Sequence, residues 1–203
     1  MARDRIRFIG IGAVTGIAWA ASLRGFMQQL AGPTSSFTFG GTFGIIIGAG
    51  TATGALLGWA EYQRRLGRQY PLLIAAPLLI AIFPILGTGQ LDAGPIGLAL
   101  GALAGGYSVS GRGPLGLRIV AAVAGFGGVP VTFFAPKPYP DLSFTTPHGA
   151  WFCTLASALL VTFALASSIP MLRPAVTRPQ YEGQDASPGS PSRPKAVGLP
   201  GCG

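Results

Sequence analysis

Charge is scarce in this sequence. Only 10% of its 203 residues are charged, against about 25% in a soluble globular domain. Acidic side chains number six, and Lys137 and Lys195 are the two lysines. So little charge excludes an ordinary water-facing surface and fits one that faces lipid. Histidine is rarer still. His148 stands alone, and the two cysteines, Cys153 and Cys202, show no C-x-x-C spacing. A structural zinc site is thereby excluded, and no metal or cofactor is expected. Cys153 lies in an apolar run, while Cys202 lies in a segment assigned below to the reducing cytoplasm, where a disulfide does not persist.

Glycine and apolar residues fill the space that charge leaves. The chain has 32 glycines and is 49% hydrophobic. Its formal charge of +8 is spread in short basic clusters between apolar runs. That pattern sets membrane topology and argues against a nucleic-acid surface. Arginine far outnumbers lysine, and Gly, Ala and Pro abound, a usage typical of GC-rich bacterial coding.

The stretch from Gly40 to Arg68 organises the rest. An apolar run, Phe43 to Ala60, meets a basic cluster of Arg64, Arg65 and Arg68. About 20 residues at ~1.5 Å rise cross a bilayer core once, and the arginines place the C-terminal end of the run in the cytoplasm. Gly40, Gly44 and Gly48 form one ladder at four-residue spacing, and Gly50, Gly54 and Gly58 form another. On a helix, such a ladder is a bare strip that another backbone can approach. Gly12 and Gly16, and then Gly97, Gly101 and Gly105, repeat the device elsewhere.

Read along its length, the chain is an all-α integral membrane protein with six spans over 8–31, 43–62, 71–86, 95–110, 117–135 and 150–171. Pro77 and Pro84 kink the third span, and Gly125, Gly127, Gly128 and Pro130 bend the fifth. The first span has a second reading as a cleaved signal peptide, with a basic start, an apolar core and Ala18-Trp19-Ala20. Its helical pattern continues past that site, which favours a retained helix. Residues 33–42 and 136–149 form outer loops. Residues 173–203 are rich in Pro, Ser and Gly without apolar periodicity, which predicts a disordered cytoplasmic tail. The six-span arrangement puts twelve basic residues inside and two, Arg24 and Lys137, outside. Both termini are therefore expected in the cytoplasm, and the chain in a bacterial plasma membrane.

Little here carries chemistry. Gly10 to Gly16 and Gly48 to Gly54 both read G-x-G-x-x-x-G, but a dinucleotide loop needs a strand before the glycines, and these sit within apolar helices. Gly106-Tyr107-Ser108-Val109-Ser110-Gly111 misses the G-x-S-x-G pattern at its last position, and Ser108 is expected a bilayer thickness from His148. No catalytic residue is assigned. Apart from Glu61 at the inner end of the second span, no acid, lysine or histidine falls inside a span, whereas proton- and ion-coupled carriers normally keep one there. Glu61 precedes Arg64 and Arg65 by three and four residues, the spacing of a helix-surface ion pair. The outer face gathers Arg24, Gln28, Asp92, Asp141 and His148. Arginine there suits a phosphate or carboxylate, but interfacial anchoring explains the same residues.

Three functional readings remain. The first is a non-enzymatic bundle with a structural or interaction role, partnered by the lipid bilayer and by a second copy or another membrane protein. The second is a small transporter or lipid-handling permease using the kinked helices. The third is an outer-face enzyme acting on lipid through Arg24, Asp141 and His148. A polar interior cavity would favour transport, and a dry one the structural role.

The run from Trp19 to Met27, the loop from Phe37 to Phe43, and Gly54-Ala55-Leu56-Leu57-Gly58 followed by Arg64-Arg65 resemble a group of small bacterial multi-pass membrane proteins. The resemblance covers the first third of the chain. It implies a plasma-membrane location and carries over no catalytic residue.

Overall fold

The computed structural model describes residues 2–31, 38–89, 93–127 and 145–173. Among these residues there is no strand. Six helices follow in order: α1 (Ala2–Ala31); α2 (Gly48–Arg65), entered through a π-helical segment, Phe39–Ile47; α3 (Leu79–Thr88), entered through a 3-10 segment, Pro71–Leu78; α4 (Ala93–Val109); α5 (Leu115–Phe126); and α6 (Pro147–Ser168), which closes in a 3-10 turn, Ile169–Met171. Three stretches are long and apolar enough to cross a membrane, Arg3–Gln29, Phe39–Arg65 and Pro147–Met171. The apolar helices Pro71–Gly87, Ala93–Val109 and Leu115–Phe126 are shorter.

Several boundaries differ from those the sequence predicts. α1 begins at Ala2, because arginine is a good helix former and Asp4 in the first turn complements the helix dipole. The loop expected over 33–42 is already helical from Phe39. Thr38 starts that helix, its Oγ1 accepting from the Gly41 N–H at 3.1 Å. The third span begins as a 3-10 segment containing Pro77, with Pro84 inside α3. A proline ring clashes with the carbonyl four residues before it in an α-helix, and 3-10 winding avoids that position. The described part of the fifth span starts at Leu115, two residues earlier than expected. Pro130, most of the 136–149 loop and the tail beyond Arg173 lie outside the described residues.

α2 stops where the chain turns left-handed. Gly67 has φ +73°, its N–H bonds Arg64 O at 3.1 Å, and the Arg68 N–H bonds Gln63 O at 3.0 Å. This pair of bonds satisfies carbonyls the helix end would leave bare.

The most extensive interface joins α1 to α2, and α4 packs against α5 and α6. Ala49, Ile80, Ala102 and Phe163, with Trp19, Phe83 and Leu98 against them, tie the two groups together. The α1–α2 contact is backbone on backbone. A methyl group on Gly12 would run into the Gly54 carbonyl and reach Gly58 Cα at 3.0 Å. One on Gly16 would run into the Gly50 carbonyl and reach Gly54 Cα at 3.2 Å. A methyl group on Gly125 of α5 would lie 2.6 Å from Gly105 N and 2.8 Å from Gly101 O.

Large apolar side chains also point outward. Leu72 is 84% exposed and Leu86 79%. Hydroxyl groups turn back on their own helices: Thr15 donates to Ile11 O, Ser22 to Ala18 O, Thr51 to Ile47 O and Ser167 to Phe163 O, at 2.7–2.9 Å. Such bonds let a helix carry a hydroxyl without a water partner.

Glycine substitutions should divide by neighbourhood. Gly16→Ala or Gly54→Ala forces α1 and α2 apart and should cost about 1–3 kcal/mol, as overpacking does. Gly97→Ala, which meets nothing within 4 Å, should be neutral or stabilise by up to ~1 kcal/mol through helix propensity. Thermal unfolding of the purified variants in detergent distinguishes the two groups.

Candidate functional site

A groove of about 340 Å³ runs between α1, α2 and α6. α1 lines it with Phe8, Ile11, Gly12, Thr15, Gly16 and Trp19, and α2 with Gly50, Thr53, Gly54, Leu57, Gly58 and Glu61. Both sets advance by three and four residues, so each is a single helix face. Thr162, Phe163 and Ala166 of α6, with Ile80 and Ile169, complete the wall. Few polar groups enter it. The Thr15 and Thr162 hydroxyls donate to Ile11 O and Ala158 O, each at 2.8 Å. A second cavity, about 270 Å³, lies among Leu23, Phe26, Met27, Ile45, Ile46, Ala49, Pro84, Gly94, Pro95 and Leu98. The two share only Trp19 and Ile80. Trp19 is held firmly. Its Nε1–H donates to Leu159 O at 3.0 Å, and its ring lies 4.7 Å from that of Phe163.

One end of the groove is charged. Arg64 grips Glu61 with a two-pronged contact, Nε to Oε2 at 2.7 Å and Nη2 to Oε1 at 2.9 Å. Arg65 Nε donates to Glu61 Oε1 at 2.7 Å, and its guanidinium lies 4.6 Å from the centre of the Phe8 ring. The spacing of Glu61, Arg64 and Arg65 makes this pairing legible in the sequence. A cross-link that the sequence does not announce lies at the same end. Gln69 Nε2 and Arg112 Nη2 both donate to Leu172 O, at 2.9 and 3.1 Å, and Arg64 Nη1 reaches Arg173 O at 3.4 Å. Leu172 and Arg173 follow the end of α6, where carbonyls lack helical partners and cations are favoured. Gln63 Oε1 is buried beside this cluster with no partner among the described residues.

Of the expected outer-face cluster, Arg24, Gln28 and His148 lie among the described residues. Arg24 is 8% exposed and faces inward one turn from Ala20, which is fully buried. The most buried positions of α1 at this end are Ala20 and Arg24, with Leu23 and Phe26 half-buried beside them. Gln28 is half-buried and His148 is exposed. His148 stands edge-on to Phe152 at 4.9 Å, and Phe152 also meets Phe26 at 5.4 Å. Asp92 and Asp141 lie outside the described residues. Ser108, which donates to Gly105 O, sits two residues past Gly106, which packs on Ser167 and Ser168. His148 begins the same α6, some 20 residues earlier and so roughly 30 Å away. Among the described residues no three His, Cys, Asp or Glu side chains gather as metal ligands would.

The packing glycines likewise divide. Gly12, Gly16, Gly50, Gly54 and Gly58 meet one another's helices, Gly101 and Gly105 meet α5 and α6, and Gly48 meets the Phe83 ring. Gly40, Gly44 and Gly97 meet nothing within 4 Å. The first two belong to the π-helical segment. Gly106 and Gly125 pack closely without belonging to a predicted ladder.

Removing both donors to Leu172 O tests the cross-link. In Gln69→Ala/Arg112→Ala, amide exchange in the last turn of α6, read at Leu172, should accelerate about tenfold, as a loss of ~1.4 kcal/mol implies. Unchanged exchange would show that these bonds do not hold the helix end. As to relatives, no protein-family model, curated protein or solved structure matches this chain.

Proposed function

We propose that this chain is a non-enzymatic integral membrane protein with a structural or interaction role. In this reading six helices cross a bacterial plasma membrane, both termini stay in the cytoplasm, and glycine strips pack the bundle. The observation that carries it is a mostly apolar interior. Apolar side chains and glycine backbone make up most of the lining of the two large cavities, with Thr15, Thr53, Thr162 and Glu61 the polar side chains of the first, a lining poorly suited to a polar solute.

Helix lengths are compatible with six spans. The 3-10 segment rises about 2.0 Å per residue, so Pro71–Gly87 reaches about 30 Å, the thickness of a hydrocarbon core. Ala93–Val109 reaches about 26 Å, a mismatch that local thinning absorbs. For α5, residues 128–144 lie outside the description, and its span rests on the apolar sequence to Ala135. An interaction role draws support from the π-helical segment. There Phe39 is 87% exposed and Phe43 57%, beside Gly40 and Gly44, which meet no neighbour within 4 Å. An apolar, close-approach face of this kind suits a second copy or another membrane helix.

Membrane integration and orientation are tested together. The full chain should stay in the membrane pellet after alkaline carbonate extraction. A fluorescent protein fused after Gly203 should fluoresce, while alkaline phosphatase at the same point should be inactive. Release into the supernatant would end the membrane reading. An active phosphatase would reverse the orientation alone.

A further inference from the structure

The groove between α1, α2 and α6 has a definite length and two unlike ends. Along α1 it extends from Phe8 to Trp19, and along α2 from Glu61 back to Gly50. Each stretch advances eleven residues, or roughly 16 Å. That matches the depth of one leaflet, about 15 Å as half of a ~30 Å core. Trp19 closes the far end, fixed to α6 by its bond to Leu159 O. Arg64 and Arg65 stand at the near end. Glu61 bonds to both and so balances one of the two positive charges. The Arg65 side chain remains 59% exposed.

An apolar trough one leaflet deep with a surplus cation at its mouth has the chemistry of an amphiphile turned outside in. We propose that the groove holds one acyl chain of an anionic glycerophospholipid, drawn from the leaflet at the arginine end, with the headgroup phosphate on Arg65. A helix from a second copy fits less well, because a spanning helix needs a trough of about 30 Å and this one stops at Trp19. A zwitterionic lipid fits the trough but leaves the surplus charge unanswered. The proposal rests on the reading that the chain spans a membrane. Carbonate extraction tests that reading separately, so the failure of one is distinguishable from the failure of the other.

Trp19 serves as the reporter. In full-length protein carrying Trp59→Phe and Trp151→Phe, Trp19 is the remaining tryptophan. Phosphatidylglycerol brominated at mid-chain is titrated into this protein in dodecylmaltoside micelles, with brominated phosphatidylcholine as the comparison. Quenching by phosphatidylglycerol should saturate, at about fivefold lower lipid than phosphatidylcholine requires, the effect of roughly one arginine near an anionic headgroup. Ala166→Phe fills the groove and should abolish the saturable phase, while Arg65→Gln should remove the preference between headgroups and keep the quenching. Where circular dichroism shows Ala166→Phe unfolded, Thr15→Phe at the exposed lip replaces it with the same expectation. Linear, equal quenching by both lipids would overturn the proposal. So would quenching that a folded groove-filled variant preserves, or a groove that native mass spectrometry shows to be filled by dimerisation.

Discussion

The contact between the backbones of α1 and α2 is the constraint on which the rest of the molecule depends. Two helices with ordinary side chains stay 8–10 Å apart. Here Gly12 and Gly16 on one helix and Gly50, Gly54 and Gly58 on the other leave no room for a methyl group. The same pairing makes the groove, because a face stripped of side chains leaves a trough wherever a third helix does not fill it. α6 borders that trough and does not close it. In lipid, where apolar surfaces gain nothing from leaving water, close packing of this kind supplies much of what holds helices together.

The helix class and the placement of most apolar segments were readable from composition and run length, since a chain with 10% charged residues has few ways to bury its peptide groups except as helices. The pairing of Glu61 with Arg64 and Arg65 was readable for a similar reason: helical spacing brings those side chains together whatever surrounds them. Partner choice was not. A four-residue glycine ladder states that a bare face exists and leaves open what lies against it. Hence Gly54 and Gly44, alike in sequence, have opposite surroundings. The π-helical winding of Phe39–Ile47 has no periodic signature in the sequence. The burial of Arg24 was not legible either, because it depends on how α1 is rotated against its neighbours.

The two ends of the bundle solve the problem of polar groups differently. At the arginine end, side chains from the turn after α2 and the turn after α4 meet on one carbonyl, Leu172 O. Three helices are joined there by a group that would otherwise seek water. At the other end aromatic contacts do the joining, with Phe26 and His148 both against Phe152. Arg24 is the exception at that end, a cation turned inward on a helix whose other arginines lie in its first two turns. Buried charge of this sort is expensive in an apolar bundle and commonly marks function.

These asymmetries bear on where flexibility can reside. The arginine end is cross-linked by directional bonds, whose loss is steep with distance and angle. Apolar contacts tolerate sliding, and the π-helical and 3-10 entries to α2 and α3 depart from the α-helical ladder that would stiffen them. A bundle built this way keeps its arginine end fixed and yields, if anywhere, around the second cavity, where Ile45 and Ile46 of the π-helical segment face Pro84 of α3 and Pro95 of α4. Trp19 and Ile80 stand between that compliant half and the groove. Of these two, Trp19 is tied to α6 by its hydrogen bond to Leu159 O, which fixes the wall between the two cavities.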